Sequence, residues 1–146
     1  MERLVALLGT LAFAVNGAGP EAPPPTDSAL PIEAQEQRID AADALARSCR
    51  PEGLHALFAL SASGAIDGVG PMQDLSHVNG LAALRCPRAF VRQLAAESAA
   101  TRGRVLECFW VPDRESELRS ALQPLRADPA LRTLIDRELL PRLDTR

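Results

Sequence analysis

Hydrophobic positions recur along much of this chain at intervals of three and four, the period of a helix with one buried side. Ile32, Ile39, Ala42, Leu45, Ala46 and Cys49 follow that spacing, with Glu33, Glu36, Asp40 and Asp43 between them. They predict an amphipathic helix. Pro51 suits a first helical turn, where a missing N–H removes no intrahelical bond. Leu54, Leu57 and Phe58 then give a second helix its apolar side as far as Gly64. The glycine-rich residues 63–71 read as a connection. Residues 72–80 read as a short helical turn around Met72, Leu75 and His77, and residues 81–84 fit helix and strand alike. Pro87 starts the next helix, lined on one side by Phe90, Val91, Leu94, Ala95 and Ser98 and closed by Gly103.

The run "RVLECFWV", residues 104–111, suits a strand by its β-branched and aromatic content and a buried helix by its continuous apolarity. A strand without partners would leave its ladder groups unpaired, so helix is the expectation. Asp113 is placed to cap a following helix, with Glu115 and Glu117 at its positive end and Leu118, Ala121 and Leu122 on its apolar side. Asp128 and Pro129 repeat the cap-then-proline start ahead of Leu131, Leu134, Ile135 and Leu139. The fold class expected is mainly α, an irregular helical bundle over residues 32–146. Prolines 51, 87 and 129 stand 36 and 42 residues apart, which fits a short helical-hairpin array as the alternative; the residues between them do not match.

Ahead of the bundle, residues 4–15 are an uncharged run of Leu, Val, Ala, Phe, Gly and Thr, shorter than the roughly 20 residues of a spanning helix. A small-residue patch, Asn16 to Gly19, follows. This is the pattern of a signal peptide, residues 1–17, with cleavage after Gly17 and a mature start at Ala18. Residues 18–31 carry Pro20, Pro23, Pro24, Pro25 and Pro31 and read as an extended tether. The expected location is therefore periplasmic or secreted, with membrane contact only during export or through an uncleaved N-terminus. An uncleaved segment would make the protein a membrane-tethered domain.

All basic residues are Arg, and Ala, Leu, Arg and Pro abound, a composition that accompanies GC-rich coding and suggests a bacterial source. A net charge of −3 argues against nucleic acid as partner, since phosphates need a surplus of cations. Charge is unevenly spread: six acids against Arg38 in residues 21–43, and five Arg against Glu97 in residues 85–104. Three cysteines in an exported chain allow one disulfide. Cys49 and Cys86, at expected helix edges beside Pro51 and Pro87, are the favoured pair, with Cys108 a buried small hydrophobe.

Two acid-x-x-His patterns, Glu52 with His55 and Asp74 with His77, would each offer a carboxylate and an imidazole on one helix face. Such pairs hold metals in di-iron bundles. They support the alternative of a metal-dependent periplasmic enzyme, although Gly53 interrupts the first and the bridging carboxylates would have to come from Glu33, Glu36 or Asp40. Ser61 and Ser63 are the candidate nucleophiles, but Ser63 has Ser61 where the first glycine of a nucleophile elbow should stand, and no Gly-Lys-Ser follows Gly64, Gly68 and Gly70. Arg85, Arg88 and Arg92 fall along one helix flank, with Arg102 and Arg104 beyond it, a row suited to carboxylate or phosphate. The leading expectation is a non-enzymatic envelope binding module without cofactor, whose partner is an acidic protein or an anionic envelope component.

Overall fold

The computed structural model describes residues 30–144; the expected signal segment and the tether up to residue 29 lie outside them. The described residues form helices α1 (Ile32–Ala46), α2 (Pro51–Ala62), α3 (Val69–Arg85), α4 (Pro87–Ala96), α5 (Ala99–Glu107), α6 (Glu115–Leu122), α7 (Pro129–Leu134) and α8 (Leu140–Asp144). Among them there is no strand, and the mainly α irregular bundle is as expected. α1 packs on α2 and α3, α2 also on α4 and α5, and α4 also on α6 and α7. The core holds Leu54, Leu57, Phe58, Phe90, Val91, Leu94, Leu118, Ile135 and Leu139, each at most 1% exposed. Phe90 is the centre of an aromatic row. Phe58 meets it edge-on with ring centroids 5.0 Å apart, and the Phe109 ring lies tilted 5.8 Å from it, so α2, α4 and the residues after α5 share one contact.

Several elements depart from the periodicity in instructive ways. On α1, Ile39, Ala42 and Ala46 are buried as expected, whereas Ile32 and Leu45 are exposed and Gln35 is 2% exposed. The Gln35 amide donates to the Leu30 carbonyl and to Asp67 Oδ1, both at 2.8 Å, and its oxygen accepts from the Asp67 N–H at 3.1 Å. Burial of this amide is offset by hydrogen bonds that tie the start of α1 to the loop before α3. α3 is one helix of 17 residues where a loop and a short turn were expected. Pro71 falls in its first turn, where the donor it lacks has no helical partner.

The Pro87 helix ends earlier than Gly103. Glu97 is extended, and Ser98 caps α5 by accepting from the Thr101 N–H at 3.1 Å, which leaves Gly103 inside α5. α5 itself stops at Glu107, so only its last turn realises the helix expected over residues 104–111. Asp113 does not cap α6. It adopts φ +58°, a left-handed turn conformation that Asp tolerates, and the cap position falls on Arg114, whose guanidinium grips Glu117 at 2.8 and 2.9 Å. Asp128 does cap α7, accepting from the Ala130 N–H at 2.9 Å. Between α7 and α8 the backbone widens into a π turn, Ile135–Leu139. Pro141 lacks a donor and its ring crowds the carbonyl four residues earlier, the steric demand a widened turn relieves.

Two glycines allow backbones to touch. A Cβ on Gly53 would stand 2.1 Å from the Leu45 carbonyl oxygen, and one on Gly80 would stand 2.1 Å from that of Trp110. The first lets α1 and α2 cross closely, and the second seats the residues after α5 against α3. A disulfide joins Cys49, in the α1–α2 turn, to Cys86, the single residue between α3 and α4, with Cα atoms 5.5 Å apart. Closing a loop with a sequence separation of 37 contributes about 4 kcal/mol on the chain-entropy view.

The glycines supply a test by sign. Gly80→Ala is expected to lower unfolding free energy in urea by at least about 2 kcal/mol, because the new methyl meets backbone rather than a movable side chain. Gly103→Ala meets nothing within 4 Å, and should raise stability by about 0.5–1 kcal/mol through helix propensity. Equal effects at the two positions would contradict the close approach at Gly80.

Candidate functional site

The fold divides the expected arginine row. Arg85 lies 3.7 Å from Asp43, the one place where the acidic and basic stretches meet among the described residues. Arg102 pairs with Glu138 at 2.8 Å and donates to the Glu97 carbonyl at 3.3 Å, while Arg104 pairs with Glu107 at 2.8 Å. Arg88 and Arg92, one turn apart on α4, have no hydrogen-bond or ion-pair partner among the described residues. Together with Pro51, Ala89 and Gln93 they line a shallow hollow of about 360 Å³ between α2 and α4. Its floor is apolar and its two charges are uncompensated, so it can take an anionic group carried on an apolar body.

The two acid-x-x-His pairs are not brought together. His55, on α2, is exposed, and its Nδ1 lies 2.6 Å from Glu97 Oε1, which also accepts from Gln93. Asp74 and His77, on α3, line a different hollow with Glu36 and Asp40 of α1. Among the described residues no group of three or more His, Cys, Asp or Glu side chains is placed to hold a metal ion. Ser61 is buried, donating to the Leu57 carbonyl and accepting from Asn79, which takes it out of reach as a nucleophile.

A second surface was not legible in the sequence. The non-helical residues after α5 are held on α3 by Asn79 and Ser76, in the turn that leads to Gly80. Asn79 Nδ2 donates to the Cys108 carbonyl at 2.8 Å, and the Trp110 N–H donates to the Ser76 carbonyl at 3.1 Å. Asn79 is fully buried, so its anchoring bonds are shielded from water. Cys108 and Val111 point inward and Trp110 outward, 52% exposed, with its ring 6.0 Å from that of His77. Trp110 stands between two concavities, one of about 510 Å³ along α3 and one of about 430 Å³ toward α8 and Arg142. The signals that would have located it are the turn-forming Pro112 and Asp113 directly after the apolar run, which limit how far a helix can extend.

Cys108 is the free thiol and is 1% exposed. Burial pushes its pKa above the ordinary thiol value, Arg104 pulls it back in part and Glu107 adds to the rise. A raised native value keeps the proton on sulfur where the unfolded chain has already lost it. Its contribution to stability is therefore complete below the ordinary thiol range and is lost as pH rises through the native value. A buried thiol held protonated is a poor nucleophile. At the surface, the Arg114 guanidinium holds the Glu117 carboxyl below its usual range.

Fold and site together define a mainly α bundle, stapled by one disulfide, with a free arginine pair and an outward tryptophan. Comparison of the chain with protein-family models, curated proteins and solved structures finds no match. No described helix is long and apolar enough to cross a membrane, and the disulfide is compatible with a place outside the cytoplasm. Native protein at pH 8 is expected to resist iodoacetamide and to take up one equivalent on unfolding without reductant. Rapid alkylation of the native protein would contradict the burial of Cys108.

Proposed function

We propose that the protein is an exported binding module of the cell envelope, periplasmic or secreted, whose α4 surface takes an anionic group of an acidic protein or envelope component. The observation that carries this reading is the unequal fate of the five arginines. Arg85, Arg102 and Arg104 have carboxylate partners within the bundle, whereas Arg88 and Arg92 face solvent beside an apolar hollow with none. An ion pair made at an exposed site contributes little on its own. Two guanidiniums over an apolar floor combine charge with burial of the partner's carbon atoms, and so favour one ligand geometry over diffuse attraction. The apolar run of residues 4–15 and the disulfide support export.

Charge reversal separates this from an inert solvated face. Arg88→Glu combined with Arg92→Glu is expected to abolish recovery of anionic partners from an envelope extract, with helical content unchanged by circular dichroism. Recovery by the unaltered protein should fall as salt is raised. The native protein should be found outside the cytoplasm with a mass beginning at Ala18. Undiminished recovery by the double variant would overturn the binding surface, and a full-length mass in the cytoplasmic fraction would overturn the location.

A further inference from the structure

We propose that the face of α3 around Trp110 and His77 is a second docking surface, separate from the arginine pair, and that its occupant is a cationic peptide segment with apolar side chains. Val69, Met72, Gln73 and Ser76 stand at successive helical intervals on α3 and line one side of the concavity of about 510 Å³, with Phe109 and Trp110 across from them. Val69 is 79% exposed and Trp110 52%, so two large apolar side chains lie open on a surface whose backbone is fixed by Asn79 and Ser76. An aromatic anchor on a held backbone has only two side-chain torsions to order on binding, so it loses little entropy.

Charge identifies the occupant. Glu36, Asp40 and Asp74 border the adjoining hollow, to which the His77–Trp110 ring contact connects the groove, and none of the three has an ion-pair partner among the described residues. Asp67, at the groove's rim, is held by the neutral Gln35 amide and keeps its charge uncompensated. Arg38 sits two positions from both Glu36 and Asp40, which places it on the opposite flank of α1. Arginine is the cation this surface suits, because its guanidinium can stack on the indole while its donors reach the carboxylates. The chain's own proline-rich stretch is disfavoured as occupant by Glu21 and Asp27, which would face the same acids.

Trp110 is the only tryptophan in the chain and there is no tyrosine, so its emission reports the groove directly. A short synthetic peptide of alternating Arg and Leu, added to the full-length protein, is expected to shift that emission to shorter wavelength. It should bind at least about tenfold more tightly than an alternating Glu and Leu peptide. Asp40→Asn combined with Asp74→Asn, both on the surface, should weaken binding of the Arg–Leu peptide about tenfold. Trp110→Ala should weaken it as read by anisotropy of a labelled peptide. Equal affinity for the two peptides, or no effect of the Asn substitutions, would overturn the proposal. So would a spectrum that shifts with protein concentration alone, which would make a second copy the occupant. A spectrum changed by replacing Pro23, Pro24 and Pro25 with Ser in the unliganded chain would assign the groove to the chain itself and equally overturn it.

Discussion

The contact between α3 and the short non-helical stretch after α5 organises the molecule. α5 ends at Glu107, and the chain must then cross the bundle to reach α6 without a helix to satisfy its backbone. Asn79 and Ser76 of α3 supply hydrogen-bond partners to Cys108 and Trp110, and Gly80 lets the Trp110 carbonyl approach closer than any side chain would permit. With the backbone pinned at these two points, Cys108 and Val111 fill the core while Trp110 is turned out. The same seam thus closes the core through Phe109 on Phe90 and creates the exposed aromatic surface. A buried polar side chain carries this arrangement, so its loss would expose both unpaired backbone and apolar surface.

The disulfide acts on a different part of the same frame. Cys49 and Cys86 lie at the entrance to α2 and at the α3–α4 junction, so the bond ties together ends of α1, α2, α3 and α4 while Gly53 brings α1 and α2 together at close range. α4 follows Cys86 immediately, and its outer turns present Arg88 and Arg92 next to Pro51 of α2. The arginine surface accordingly rests on covalent and steric constraints at its base. With the acidic residues of α1 and α3 gathered around His77, the uneven charge of the sequence becomes two surfaces of opposite sign.

Much of the architecture was legible because burial follows helical spacing in α2, α4, α6 and α7, where Leu54, Leu57, Phe58, Phe90, Leu94, Leu118 and Leu131 all face the core. Cys49 and Cys86, at expected helix edges beside prolines, were the favoured one of three possible pairings and are the pair that forms. α3 was not. Gly70, Pro71 and Gly80 lower helix propensity, and what overrides them is a first-turn position for Pro71 and a partner backbone at Gly80, both visible only once the neighbours are in place. The fate of the arginine row was also hidden, since Glu138 reaches Arg102 from 36 positions away and no local spacing announces it. Gln35 reads as an ordinary surface residue until its loop partners Asp67 and Gly68 are brought to it.

The central claim, that residues 108–111 are anchored on α3, is tested most directly by amide hydrogen exchange at Trp110. This N–H, bonded to the Ser76 carbonyl, is expected to exchange as slowly as the buried amides of α3 and to require the same opening. Exchange at the rate of a solvated loop, with α3 still protected, would contradict it.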